Sequence, residues 1–317
     1  MNAEIHKLGF GTWQFGGENF IGGKHTGWGY IDEQEAIQAV GFALEQGIRF
    51  FDTADAYGAG RSEEILGKAF QIYPNANLII CTKFGHRRDN QGNSFQDFSP
   101  QWLEQAVTDS LKRLQTDCID IMLFHSPSDD FDWQNYDTTV LEQLIQKGYI
   151  KKYGVSSKTI KGALKVVKNR FGNVIEVIFN TLDRRAEQYL FNKYINFEYE
   201  FIARVPLASG FLKKKYLYKT PEFAENDWRH YLPEKEKIWL LESVRKLAFL
   251  DELSGGITVS ALRYVLYHSG VKIVIPGMKN LAQVKANMQA VELGALAPEV
   301  IEKIKEAVPD VPAHWKF

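Results

Sequence analysis

The chain alternates between short apolar runs and longer stretches in which apolar residues recur at helical spacing. The segment 78–82 (Leu-Ile-Ile-Cys-Thr) is an unbroken apolar run, typical of a strand buried in a parallel sheet. The stretch 32–46 instead places Ala36, Val40 and Ala43 on one helical face. Repetition of these two patterns predicts strands joined by helices through right-handed parallel crossovers.

Strand–helix units of about 35 residues follow one another along the whole chain. The predicted strands are 8–12, 48–51, 78–82, 119–124, 152–155, 174–179, 200–205 and 272–275. The predicted helices are 32–46, 62–71 (with Ser62 able to cap its start), 99–114, 136–147, 160–168, 186–194, 234–253, 258–267 and 281–289. The order predicts an α/β fold, a (β/α)8 TIM barrel with parallel strands. A loop excursion at 208–233 follows strand seven, and 299–307 is an appended C-terminal helix.

A doubly wound parallel sheet is the alternative architecture for alternating strands and helices. That fold favours Gly-x-Gly-x-x-Gly after its first strand, and the segment 9–14 (Gly-Phe-Gly-Thr-Trp-Gln) lacks the third glycine. No linker of low complexity interrupts the chain. The barrel is therefore the preferred interpretation, as a single domain covering 1–317.

Composition excludes several classes of partner. The formal net charge of the 317 residues is −1, which gives no electrostatic basis for binding nucleic acid or an anionic membrane. The two cysteines, Cys81 and Cys118, form no C-x-x-C motif and suit a reducing compartment. We find neither a signal-peptide pattern nor an apolar run long enough for a membrane helix. These features predict a cytoplasmic protein that is monomeric or weakly oligomeric. The histidines show no metal-ligand spacing, so no bound metal is expected.

Polar residues occur where three consecutive predicted strands end. Asp52 and Tyr57 follow strand two, Lys83 ends strand three, and His125 ends strand four. In a barrel of parallel strands all four would lie on one rim, where the active sites of such barrels are found. A structural ion pair between Lys83 and Asp52 and a core histidine at 125 is the alternative reading, and the coincidence of the four residues disfavours it.

These side chains suit the reduction of a carbonyl group. A tyrosine has an unperturbed pKa of about 10, and an adjacent lysine ammonium lowers that pKa. Asp52 would keep Lys83 charged and positioned, so that Tyr57 acts as a general acid toward the carbonyl oxygen. No side chain supplies hydride, so the reaction requires a nicotinamide cofactor.

The motifs of the chain resemble those of the aldo-keto reductase family from Leu8 to about Ala290. They are Gly-Phe-Gly-Thr-Trp at 9–13, Phe-Phe-Asp-Thr-Ala-Asp-Ala-Tyr-Gly-Ala-Gly-Arg-Ser-Glu at 50–63, Leu-Phe-His-Ser-Pro at 123–127, Gly-Val-Ser-Ser at 154–157 and Ile-Pro-Gly at 275–277. The resemblance implies a catalytic tetrad of Asp52, Tyr57, Lys83 and His125, with His125 orienting the carbonyl. It also implies NADP(H) bound across the barrel mouth, a small carbonyl substrate, and Trp13 in the substrate pocket.

The resemblance further implies a set of cofactor-binding positions. They are Gly11, Thr12, Ser156, Ser157, Glu176, Arg204, Pro206, Leu207, Ser209, Gly210, Leu212, Lys215, Ile275, Pro276, Gly277, Lys279, Gln283 and Asn287. Ser157 and Glu176 replace an asparagine and a glutamine of the family pattern, and Gln283 stands where many relatives carry arginine. The segment after strand eight also precedes a helix, whose N-terminus favours phosphate. Lys279 is the cation nearest in sequence, and it predicts a preference for NADP over NAD.

Two other functions stay open from the sequence. One is a regulatory subunit that keeps the fold and the cofactor but turns over little substrate. The other is a lyase or aldolase that uses Lys83 to form a Schiff base, which the pairing with Asp52 disfavours.

Overall fold

The computed structural model describes residues 5–21, 24–74, 77–89, 93–194, 199–308 and 311. Eight parallel strands form one sheet that runs in sequence order. The strands are β1 (Phe10–Gly11), β2 (Phe50–Asp52), β3 (Ile79–Phe84), β4 (Ile119–His125), β5 (Ile150–Ser156), β6 (Val174–Ile178), β7 (Glu200–Arg204) and β8 (Ile273–Ile275). Parallel bridges from Leu8 to Val274 and from Gly11 to Gly277 connect the first strand to the last. The predicted (β/α)8 barrel is confirmed.

Helices surround the sheet in the order that the sequence predicts. They are α1 (Glu33–Glu45), α2 (Arg61–Ile72), α3 (Pro100–Leu114), α4 (Thr139–Gln146), α5 (Ile160–Lys168), α6 (Asn192–Tyr194), α7 (Lys215–Tyr218), α8 (Glu234–Lys246), α9 (Gly256–Leu266), α10 (Leu281–Glu292) and α11 (Pro298–Ala307). Local sequence explains several of their starts. The Ser99 side chain caps α3 by accepting from the Trp102 backbone N–H, and Pro100 occupies the first turn.

The start of α2 differs from the prediction. Gly60, not Ser62, precedes the helix, and Gly60 has a positive φ of 98°. Ser62 is buried and donates to the Thr12 carbonyl at 3.0 Å, and it accepts from the Thr53 hydroxyl at 2.8 Å. The serine therefore joins α2 to the loops after β1 and β2, which fixes the loop that carries Tyr57.

Other boundaries shift where local geometry is irregular. The helix predicted at 186–194 is a π-helix at Glu187–Phe191 that continues into α6, and the stretch 234–253 divides into α8 and a 3-10 helix at Ala248–Glu252. The excursion 208–233 contains α7 and two 3-10 turns.

Two antiparallel hairpins were not predicted from the sequence. One pairs Phe20–Ile21 with Lys24–His25, and the other pairs His86–Arg88 with Ser94–Gln96. Both follow barrel strands at the rim where the predicted site lies. Within the described ranges, no helix is long and apolar enough to cross a membrane.

Candidate active site

The four side chains predicted at the strand ends lie together at the carboxyl end of the barrel. Lys83 Nζ is 2.6 Å from Asp52 Oδ1 and donates to the Thr53 carbonyl at 2.9 Å. The same ammonium lies 5.3 Å from the centre of the Tyr57 ring. The rings of Tyr57 and His125 are 5.8 Å apart and nearly perpendicular. Lys83 and Asp52 are both buried, so their ion pair is shielded from solvent.

A second carboxylate approaches Lys83 from the opposite side of the barrel. Glu176 Oε2 is 3.4 Å from Lys83 Nζ, and Glu176 Oε1 accepts from the Ser156 hydroxyl at 2.8 Å. Burial, together with the neighbouring Glu176 carboxylate, raises the pKa of Asp52 to about 8. Oxygen atoms of Asp52 and Glu176 and the Cys81 sulfur all lie within 4.8 Å of one another. The Lys83 ammonium therefore lies between two buried acids and balances the charge of one of them.

The expectation for the acidity of Tyr57 is wrong in this structure. Desolvation raises the pKa of the Tyr57 hydroxyl above its ordinary value, and the attraction of Lys83 lowers that pKa by less. Asp52 and Glu176 raise it further. The prediction considered only the effect of Lys83 on this pKa. The burial of the site and the second carboxylate, Glu176, raise the pKa and were not considered.

His125 is a neutral imidazole at neutral pH. Burial is the main reason that its pKa lies well below the usual range, and the positive charges of His86, Lys83 and Arg204 act in the same direction. The His86 ring stands 4.8 Å from that of His125. No sequence signal marked His86, because it lies on the unpredicted hairpin.

A cleft of about 570 Å³ begins at Asp52 and Tyr57 and extends toward α10. Most of the residues expected to bind a cofactor line it: Gly11, Glu176, Arg204, Pro206, Leu207, Ser209, Gly210, Ile275, Gly277, Lys279, Gln283 and Asn287. Trp13 lines it as well. The structure thus brings the predicted set to one continuous surface.

Six other expected positions are not among the residues that line the cleft. The Thr12 hydroxyl donates to the Asp52 carbonyl at 2.8 Å, and the Pro276 carbonyl accepts from the Gly11 N–H at 3.0 Å. The Ser157 carbonyl accepts from Arg204 at 3.2 Å. Three expected positions remain. The Ser156 hydroxyl donates to Glu176, and the Leu212 carbonyl accepts from the Thr258 hydroxyl at 2.7 Å. The Lys215 ammonium lies 4.8 Å from the centre of the Tyr216 ring.

Positive charge gathers in one part of the cleft, where the charges of Arg229 and Lys279 act on Lys213. All three side chains line the cleft, and neither Lys213 nor Arg229 was among the predicted residues. Burial lowers the pKa of Lys213, and the charges of Arg229, Lys215 and Lys279 lower it further. The triple lysine at 213–215 was a sequence signal for this cluster, but only the fold shows that Lys213 faces the cleft.

A second, mainly apolar cavity of about 550 Å³ adjoins the first at Trp13 and Arg204. The Trp13 ring is 5.6 Å from that of Trp228 and 6.2 Å from that of Tyr57, in stacked arrangements. Trp28 packs edge-on against Trp13 at 5.2 Å. Trp228 belongs to the excursion 208–233, and no sequence pattern pointed to it.

Comparisons with known proteins identify relatives along nearly the whole chain. The model described as "Aldo/keto reductase family" matches residues 7–309. The "Uncharacterized oxidoreductase YqkF" of Bacillus subtilis is 31% identical over 282 residues, covering 86% of this chain and 88% of the relative. "Aldo-keto reductase yakc [NADP(+)]" of Schizosaccharomyces pombe is 26% identical over 318 residues, covering 96% and 89%. The solved holo form of "aldo-keto reductase AKR11C1" from Bacillus halodurans has a TM-score of 0.78 and 29% identity, covering 97% and 94%.

Proposed function

The chain belongs to the aldo/keto reductase family and is an oxidoreductase, and from this premise we propose that it is an NADPH-dependent reductase of aldehydes or ketones. The observation that carries the proposal is the buried Lys83–Asp52 pair beneath Tyr57, beside a neutral His125, at the mouth of the barrel. The Tyr57 and His125 rings are 5.8 Å apart, which supports a carbonyl oxygen that contacts both side chains.

Each of the four side chains has a distinct role in the proposed reaction. Tyr57 donates a proton to the carbonyl oxygen, and its raised pKa keeps that proton in place until the oxygen becomes basic. Lys83 stabilises the phenolate that forms, and Asp52 holds the ammonium in position. His125 donates one ring N–H to the carbonyl oxygen and orients it. A bound nicotinamide supplies the hydride.

The elongated cleft fits a phosphorylated dinucleotide. Three cations, Lys213, Arg229 and Lys279, line the cleft, and Arg229 is paired there with Asp227. Asn287 Nδ2 is buried there and has no hydrogen-bond partner among the described residues, so it is available to a bound molecule. The name of the yakc relative also contains NADP(+). These observations support NADP(H), with the phosphates at the cationic part and the nicotinamide near Arg204 and Glu176.

The second cavity suggests where the rest of the substrate lies. Its walls are largely apolar and include Trp13, Trp228 and Leu240. Burial of an apolar group in such a cavity contributes roughly 25 cal/mol per Å². We therefore expect small carbonyl compounds with an apolar body to be better substrates than strongly polar ones.

Turnover distinguishes this function from the two alternatives. Purified protein mixed with NADPH and a panel of aldehydes and ketones should consume NADPH steadily, as measured by its absorbance. A regulatory subunit would bind NADPH, and so change tryptophan fluorescence, without steady consumption. A Schiff-base enzyme would become covalently labelled at Lys83 when borohydride is added with substrate, and that labelling would contradict the proposed role of the lysine.

A further inference from the structure

Glu176 is a buried carboxylate that its own surroundings do not fully satisfy. The side chain is 1% exposed, and Oε2 accepts no hydrogen bond from the described residues. Only the Lys83 ammonium, at 3.4 Å, faces that oxygen as an ionic partner. A buried acceptor without a donor costs free energy unless another group compensates it. The site therefore retains capacity for one more positive or hydrogen-donating group.

The groups around Glu176 come from several strands and balance each other in charge. Lys83 and Cys81 face it from β3, and Asp52 faces it from β2. Arg204 faces it from β7: its Nε lies 3.9 Å from Glu176 Oε1 and donates no hydrogen bond within the described residues, while its Nη2 donates to the Ser157 carbonyl. Two cations thus oppose two acids at this point of the barrel.

Glu176 lines the cleft at the end that carries Tyr57 and Arg204. Under the proposed function this is the nicotinamide end. The nicotinamide ring carries one positive charge when oxidised and none when reduced. A glutamine at this position would bring an amide without net charge, whereas a glutamate can supply a full negative charge.

We propose that Glu176 makes the site discriminate between the redox states of the cofactor, favouring NADP⁺ over NADPH and so shifting the bound equilibrium toward NADP⁺ and alcohol, which is the direction of carbonyl reduction. This inference rests on the proposed function. Even with the screening of bulk water, two unit charges about 4 Å apart change a binding constant by roughly fivefold. The less polar interior strengthens such an interaction.

Proton binding provides a second consequence of the same geometry. Burial and the Glu176 carboxylate raise the pKa of Asp52 to about 8, so this carboxyl group binds a proton more tightly than an ordinary aspartate does. A positive ring near Asp52 favours its ionised form and should expel part of that proton. Binding of NADP⁺ near pH 7 should therefore release more protons than binding of NADPH.

Fluorescence titration of the full-length protein with NADP⁺ and with NADPH tests the redox preference. In Glu176→Gln the ratio of the NADP⁺ dissociation constant to that of NADPH should rise about fivefold or more. Glu200→Gln is the matched control, because Glu200 begins β7 at the opposite end from Arg204 and pairs with Lys152. That variant should leave the ratio unchanged.

The outcomes separate the inference from the function on which it rests. If Glu176→Gln binds both cofactors with an unchanged ratio, the inference is refuted and the reductase proposal stands. If the wild-type protein binds neither cofactor, both fail. Calorimetry of the wild-type protein in two buffers of different ionisation enthalpy gives the proton release without any variant. Equal proton release with NADP⁺ and NADPH would also refute the inference.

Discussion

Replacing Tyr57 with phenylalanine removes one hydroxyl group and leaves the contacts that hold the ring. The ring stacks on Trp13 at 6.2 Å, stands edge-on to His125 at 5.8 Å, and lies 5.3 Å from Lys83 Nζ. None of these contacts depends on the hydroxyl oxygen. We therefore expect Tyr57→Phe to fold normally and to bind NADPH with nearly the wild-type dissociation constant.

Carbonyl reduction should fall sharply in this variant. A positioned general acid typically contributes roughly 10²–10⁴-fold to a rate, so kcat should drop by about 100-fold or more. Desolvation raises the pKa of Tyr57, so the wild-type hydroxyl stays protonated through the neutral range. The ratio of wild-type to variant kcat should accordingly stay constant between about pH 6 and pH 8.

The assay is NADPH consumption at saturating aldehyde, with NADPH binding measured separately by fluorescence. Tyr30→Phe makes the same chemical change at a side chain that is 77% exposed, and it should retain wild-type kcat. A Tyr57→Phe protein that binds NADPH and keeps more than about a tenth of wild-type kcat would refute the assignment of the acid.

Lys279→Ala should weaken the binding of NADPH about tenfold or more and hardly change the binding of NADH, as expected for a charge-assisted bond to the 2′-phosphate. An equal rise in both dissociation constants would contradict that contact. His268 first, and Lys305 as well, lower the pKa of Glu187 to about 2. The ionised form of Glu187 therefore stabilises the fold above about pH 4.5, and that stability is lost as the pH falls toward 2. Glu187→Gln should therefore lower the melting temperature at pH 7 but not at pH 2, whereas an equal loss at both values would indicate a packing defect. Gly154→Ala should lower the free energy of unfolding by about 1–3 kcal/mol or more, measured by denaturant unfolding, because the new Cβ would lie 1.9 Å from the Val174 carbonyl oxygen. Unchanged stability would show that β5 and β6 can separate there.

The regular parts of the fold were predictable because each strand and helix has its own periodic pattern. The clustering of Asp52, Lys83 and His125 was predictable for a related reason. Neighbouring parallel strands end on the same rim, so the order of the strands in the chain gives the neighbours in space. No comparable local rule applies to the hairpins at the rim, whose strands are only two or three residues long.

Contacts between side chains on opposite sides of the barrel could not be predicted from the sequence. The family resemblance implied that Glu176 contacts the cofactor, and Glu176 does line the cleft. The contact between the Glu176 carboxylate and Lys83 on β3 depends on the width of the barrel, and no sequence pattern predicts that width. The raised pKa of Tyr57 escaped prediction because desolvation depends on the whole surroundings of a side chain. Lys213, rather than Lys215, lines the cleft, and the turn just before it contains Ser209 with a positive φ of 54°, which the sequence pattern did not indicate.

The two acids beside Lys83 also bear on Tyr57, and for Glu176 this effect opposes its effect on the nicotinamide. Lys83 lowers the pKa of Tyr57, whereas Asp52 and Glu176 each raise it. With a neutral amide at position 176, Asp52 alone would oppose the lysine. The added carboxylate thus makes the phenol a weaker acid for reduction and makes the phenolate a stronger base toward an alcohol. Under the proposed roles, Glu176 stabilises the oxidised ring, which favours hydride transfer to the carbonyl, and it also weakens the acid that the same reduction requires, so its two effects oppose each other.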